Sequence, residues 1–157
     1  MSGEEEASRV LKTPFGRVEF TISDRGLQYM SLSHRLEGDF GNHKLLQDLQ
    51  SDLERYFRGE RVDFTDVKVD LSRYTEFQRK VLEATREVPY GETASYGDIA
   101  KRIGKPKAYR AVGNALHNNR TSIVIPCHRI IHSDGGLGGF GGDLETKKRL
   151  LRLEGVL

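Results

Sequence analysis

The chain has 157 residues, 36% hydrophobic and 31% charged, with a formal net charge of +2, enough for one sizeable core or two small packed units. Its single cysteine, Cys127, excludes an intrachain disulfide scaffold and a zinc site built from several thiolates, and points to a reducing cytoplasm. No run approaches the ~18 apolar residues of a membrane span, and the acidic start MSGEEEAS is unlike a signal peptide, so no membrane partner is expected.

In chain order, SRVLKTPFGRVEFTISDRGLQYMSLS alternates apolar and polar positions, broken at TPFG and SDRG, the punctuation of short antiparallel strands. NHKLLQDLQSDLERYFRG places Leu45, Leu46, Leu49, Leu53, Tyr56 and Phe57 at helical spacing and stops at Gly59. Residues 1–70 therefore read as a small α/β domain, an antiparallel sheet with a helix across it. VKVDLSRY follows as a linker or edge strand. TEFQRKVLEATREV then opens with the Thr75 to Gln78 spacing of a capping box, sets Phe77, Val81, Leu82 and Val88 along one stripe, and closes at Pro89.

SYGDIAKRIG and YRAVGNALHNN are two short helical patterns separated by KPKA. This is the outline of a helix-turn-helix, winged-helix-like in its setting, and equally of an ordinary helical hairpin. Ala111, Gly113 and Ala115 in the second helix favour the first reading: small side chains permit close approach to a nucleic-acid backbone, and an interior glycine costs a helix about 1 kcal/mol. A loop with six glycines within residues 135–142 follows, then a last helix from Asp143 with Leu144, Leu150, Leu151 and Leu153. Residues 71–157 thus form a mainly α domain.

Charge separates the halves. Residues 1–70 carry 10 Lys/Arg against 14 Asp/Glu, and residues 71–157 carry 15 against 9. Between Asp98 and Asp134 there is no acidic residue, while Lys101, Arg102, Lys105, Lys107, Arg110, Arg120 and Arg129 all fall there. Such a stretch fits a polyanion, most often nucleic acid, or a solvated helix face.

Cys127 stands in IVIPCHRII. Most lone cysteines are small buried hydrophobes. As a nucleophile this one needs a base or a cation, since an ordinary thiol is only about 3% ionised at pH 7. His128 and Arg129 are the nearest candidates, but neighbours in an extended segment point to opposite faces, so a turn or a bridging water is required.

IPCHRII, preceded by SYGDIA and YRAVGNALHNN and followed by the glycine-rich loop and LEG, resembles the O6-alkylguanine-DNA alkyltransferases from about Thr75 onward. The resemblance implies a small α/β domain joined to a largely helical DNA-binding domain, and irreversible, stoichiometric transfer of the alkyl group of O6-alkylguanine in duplex DNA, with O4-alkylthymine a second candidate, to Cys127. His128 would act as base through a water, Glu154 would orient and charge its imidazole, and Asn119 would brace the turn. Tyr96 would lie beside the flipped base, with Phe140 in the glycine-rich loop, and backbone groups of Cys127 and Ile130 would read the guanine edge. Arg110 would enter the duplex in place of the extruded nucleotide, within a DNA surface of Lys107, Tyr109, Ala111, Gly113 and Asn114.

Neither a metal nor an organic cofactor is implied, and the expected form is a cytoplasmic, nucleoid-associated monomer. The sequence departs from the family pattern at Phe140 and Gly141, where tyrosine and serine are common, at Tyr109, where a small residue is usual, and at Arg120, where proline is usual. Two rival readings stand beside this one: a helix-turn-helix lesion sensor or regulator without chemistry, which the presence of Cys127 disfavours, and a thiol hydrolase, for which no peptide cleft is evident.

Overall fold

The structure, a computed structural model, describes residues 7–13, 16–23, 25–33, 44–137 and 144–157. Strands β1 (Ala7–Thr13), β2 (Gly16–Ser23) and β3 (Gly26–Ser33) form an antiparallel sheet in that order. Its registers close Thr13 onto Gly16 and Ser23 onto Gly26, the two places where TPFG and SDRG interrupt the alternation. Helix α1 (Lys44–Phe57) follows, burying Leu49, Leu53, Tyr56 and Phe57 as its spacing requires, and stops before Gly59, which takes φ +89°.

Helix α2 (Glu76–Arg86) begins at Thr75 with both halves of the capping box in place, the Thr75 hydroxyl accepting from the Gln78 amide and the Gln78 side chain accepting from the Thr75 amide. Val81, Leu82 and Val88 are buried and Phe77 packs partly buried against them. A second capping box, Ser95 with Asp98, starts α3 (Tyr96–Arg102), and residues 103–108 lead into α4 (Tyr109–His117). Strand β4 (Ala94–Ser95) pairs in parallel with β5 (Ile130–Ile131), the latter directly after a 3-10 turn at Cys127–Arg129. Helix α5 (Leu144–Leu153) ends the fold. Leu150 and Leu151 on it are buried, but Leu144 is exposed, because the buried stripe of this helix runs instead through Lys147.

The second edge of β3 is occupied by chain from beyond residue 66. The Leu27 amide donates to Lys68 O at 2.7 Å and the Asp70 amide to Leu27 O at 2.8 Å, so VKVDLSRY does supply an edge pairing. Gly26 makes that approach possible: at φ +117° a Cβ there would lie 2.4 Å from Lys68 O. Farther along, the Met30 amide donates to Arg120 O at 2.7 Å and the Ser122 amide to Met30 O at 3.3 Å. The segment leading to Cys127 is thereby fastened to the N-terminal sheet. The hydrophobic core is correspondingly continuous, joining Leu27, Met30, Leu53 and Tyr56 to Leu82, Ile99, Ile125 and Leu150.

Candidate active site

Cys127 opens the 3-10 turn that the sequence needs if its thiol and the next imidazole are to work together. The turn is closed by hydrogen bonds from the Arg129 amide to Pro126 O at 2.9 Å and from the Cys127 amide to Ile125 O at 2.8 Å. Asn119 braces the approach to it: its Nδ2 donates to Ile125 O at 3.0 Å, and its Oδ1 accepts from the amide and hydroxyl of Thr121 at 3.0 and 3.1 Å. Between them lies Ile123, at φ 76° the one non-glycine residue with positive φ among the described residues. A β-branched residue reaches that region only where surroundings over-determine it, and here its side chain is buried in the core.

Behind the cysteine sits a buried polar cluster centred on Glu154. Its Oε2 accepts from His128 Nε2 at 2.6 Å, Tyr56 Oη at 2.5 Å and Arg129 Nη2 at 3.0 Å. Its Oε1 accepts from Arg129 Nε at 2.8 Å and the Gly91 amide at 3.3 Å. Burial alone would raise the Glu154 pKa, but the hydrogen bonds of His128 and Arg129, the Arg129 charge and, once the ring is protonated at acid pH, the His128 charge outweigh it and hold the carboxyl at about 2. Burial pushes the His128 pKa below its ordinary value in spite of the carboxylate. A pKa below the ordinary imidazole value favours the neutral ring near pH 7. With Glu154 ionised, the single ring proton belongs on Nε2, and Nδ1 is left as an acceptor. That Nδ1 is buried without a hydrogen-bond partner in the protein.

Burial likewise pushes the Cys127 thiol up, opposed by the Asn119 side chain, the positive charge of Lys147 and Ser122. Lys147, fully buried, donates to Ile130 O at 2.6 Å and also to Leu137 O. Desolvation lowers its pKa to about 8. Ile130, expected to read a base edge, has its amide bonded to Cys127 O and its carbonyl accepting from Lys147, which leaves that oxygen a second lone pair.

In front of the thiol is a cavity of about 560 Å³, lined by Cys127 together with Tyr96, Tyr109, Arg110, Gly113, Asn114 and His132, among others. Tyr96, the first residue of α3, has its ring 5.1 Å from that of His132 and 5.9 Å from Lys147 Nζ, and burial raises its pKa. Arg110, Ala111 and Asn114 are exposed on α4, Lys107 is exposed just before it, and Tyr109 is 50% exposed. Space next to Gly113 is adequate, a Cβ meeting only the Tyr96 ring at 3.8 Å, so packing alone does not demand glycine there. Phe140 and Gly141 lie outside the described residues. Arg129 departs from its place in the basic stretch: it is buried, with its guanidinium spent on Glu154 and on Val88 O at 2.8 Å, because a carboxylate this deep in the core needs a fixed cation.

Tyr56 and Lys147 are part of this cluster although the sequence marks neither as functional. The spacing 144, 147, 151, 154 does put Lys147 on one helical face with Leu151 and Glu154, and a buried tyrosine demands a partner for its hydroxyl.

Residues 76–156 match the 6-O-methylguanine DNA methyltransferase, DNA binding domain, and residues 8–71 the 6-O-methylguanine DNA methyltransferase, ribonuclease-like domain. The chain belongs to the 6-O-methylguanine DNA methyltransferase family. It is 40% identical over 152 residues to the methylated-DNA–protein-cysteine methyltransferase of Methanosarcina acetivorans, covering 93% of this chain and 96% of that one. It is 53% identical over 102 residues to the protein of that name from Mycolicibacterium paratuberculosis, covering 65% of this chain and 61% of that one. Among solved structures, Mycobacterium tuberculosis O6-methylguanine methyltransferase superposes with a TM-score of 0.83 at 36% identity, covering 96% of this chain and 93% of that one. M. tuberculosis OGT in complex with DNA gives 0.81 at 38% identity, covering 94% and 91%. The fold of this methyltransferase is thus the two-domain one of its family, a ribonuclease-like N-terminal domain and a helical DNA-binding C-terminal domain. Among the described residues no helix is long and apolar enough to cross a membrane.

Proposed function

We propose that this methyltransferase repairs DNA by moving the alkyl group of O6-alkylguanine irreversibly onto Cys127, one group per molecule. The observation that carries the reading is the turn at Cys127–Arg129: Cys127 lines the cavity, while the adjacent imidazole is anchored through Nε2 to an ionised Glu154 and keeps an unpartnered Nδ1. A water between Nδ1 and Sγ would satisfy that nitrogen and pass the thiol proton to it. The thiolate then displaces at the alkyl carbon, the S–C bond forming as the C–O6 bond breaks. The electron pair leaves on guanine, where a hydroxyl donor such as Tyr96 stabilises it. The product is a thioether, which water does not cleave, so the thiol is not regenerated.

The target carbon lies inside a stacked duplex, so the nucleotide must be extruded, at a cost of a few kcal/mol. We assign α3 and α4 to a helix-turn-helix that presents Lys107, Tyr109, Arg110, Ala111, Gly113 and Asn114 to DNA, with Arg110 filling the vacated stack. The supporting features are the exposure of Lys107, Tyr109, Arg110, Ala111 and Asn114, the place of Tyr109, Arg110, Gly113 and Asn114 in the cavity lining, and the absence of a side-chain cap at the start of α4, a helix end that suits a phosphate. The functional division falls near residue 70, with 1–70 supporting and 71–157 reacting, and the working form is a monomer acting on nucleoid DNA in the cytoplasm. The lesion-sensor reading is set aside, since the relatives are named as methyltransferases and Cys127 is in place. Incubation with duplex DNA carrying O6-methylguanine tests the assignment: the Cys127 peptide should gain the mass of one methyl group, saturating at one per protein molecule. No gain on that peptide, or multiple turnover, would refute it.

A further inference from the structure

Tyr56 reaches the cluster behind Cys127 from α1, on the N-terminal side of the molecule. Its fully buried ring meets Phe57, Phe64 and Tyr90 edge-on, with centroids 5.4, 5.6 and 6.0 Å away. Any backbone carbonyl would satisfy a buried tyrosine hydroxyl. This one ends instead on Glu154 Oε2, the oxygen that also receives His128 Nε2.

We propose that Tyr56 is a positioning residue for the alkyl-transfer relay: by sharing that oxygen it limits how much of the Glu154 charge reaches the imidazole, keeping the ring neutral and its Nδ1 available for the thiol proton. The inference rests on the Cys127, His128 and Glu154 relay proposed above. A carboxylate aimed undiluted at Nε2 raises the basicity of Nδ1, and a ring that is already protonated accepts nothing. Each further donor to the carboxylate draws charge away from the imidazole.

The groups facing the pair are Tyr56 from α1, Tyr90 from the segment after α2, Arg129 on the turn, and Lys147 on α5. Arg129 and Lys147 are cations whose removal unbalances a buried charge. Tyr56 is neutral and does not line the cavity, so losing its hydroxyl changes the relay without touching substrate.

The test is the pH dependence of single-turnover transfer from an O6-methylguanine duplex between pH 5 and 9. In Tyr56→Phe the acidic midpoint should move up by about half to one pH unit, so that transfer on the acid limb falls about three- to tenfold. A 3-fluorotyrosine placed at position 56 is a stronger donor of the same shape and should move the midpoint the other way, which keeps the test intact if Tyr56→Phe does not fold. A wild-type acid limb that neither substitution moves would overturn the role of Tyr56 and leave the relay standing. A wild-type profile with no acid limb would overturn the relay and this inference with it.

Discussion

Arg129 holds both oxygens of Glu154, Nε to Oε1 at 2.8 Å and Nη2 to Oε2 at 3.0 Å, with neither side chain exposed beyond 4%. The pair joins the turn after Cys127 to the end of α5, and the third guanidinium nitrogen, Nη1, pins Val88 O. Removing one member of a buried pair leaves the other charge uncompensated and costs about 3–5 kcal/mol. Arg129→Met should lower the free energy of urea unfolding by that amount. Arg129→Lys should recover only part of it, because an ammonium cannot reproduce the fork. Full recovery by lysine would show that charge alone, and not geometry, fixes the turn.

The same cluster sets the acid stability. The Glu154 pKa is about 2 in the fold against an ordinary 4.5, and the His128 pKa is lowered from 6.5. Both groups bind fewer protons folded than unfolded, so stability falls as pH falls. For His128 the loss begins as pH drops through 6.5, where the unfolded imidazole charges. For Glu154 it begins below 4.5 and is complete near 2. Urea unfolding followed by circular dichroism should give a midpoint that is level near pH 7 to 8 and declines in these two ranges. A midpoint unchanged between pH 7 and 5 would contradict a neutral, buried His128.

The parts of this arrangement legible in the sequence are those written in local pattern. The Thr75 to Gln78 spacing, the breaks at TPFG and SDRG and the stripe ending in Tyr56 and Phe57 each match the structure, since caps, turns and amphipathic faces are decided within a few residues. The pairing of Met30 with Arg120 and Ser122, and the meeting of Tyr56 with Glu154, join residues ~90 or more apart in sequence, and no local signal carries them. Arg129 misleads in the basic stretch for the same reason: its acidic partner lies 25 residues later. Lys147 is hidden by composition, because lysine on a helix is ordinarily solvated.

Asn119 is the pivot of the loop that ends at Cys127: its side-chain bonds to Ile125 O and from Thr121 close within that loop, and its side chain also favours the Cys127 thiolate. Asn119→Ala leaves a buried carbonyl and a buried threonine hydroxyl without these partners, at about 1–3 kcal/mol each. With Ile123 held at positive φ, the loop has a more relaxed alternative to adopt once released. The expected result is a transfer rate reduced at least tenfold, with affinity for undamaged duplex within about twofold, since α4 is not involved. Equal loss of binding and transfer would mean that Asn119 supports the whole domain and not the turn.

Arg110 is exposed at the start of α4 and lines the same cavity as Cys127, which separates two contributions that one substitution can measure. Only a duplex has a vacated stack to fill, so Arg110→Ala should slow transfer from a lesion in duplex DNA by one to two orders of magnitude while reaction with the free modified base, assayed by mass, stays within about twofold. Arg110, Lys101, Arg102, Lys105, Lys107 and Arg120 are all exposed, and each that meets a phosphate releases counterions. Affinity should therefore fall linearly in log–log form with salt, with a slope of about −0.9 per phosphate contact. Arg110→Ala should shift the slope by at most about one, whereas Lys107→Ala should shift it by a similar step without a selective effect on lesion transfer. If duplex and free-base reactions fell together in Arg110→Ala, the arginine would belong to the reaction pocket and not to the emptied stack.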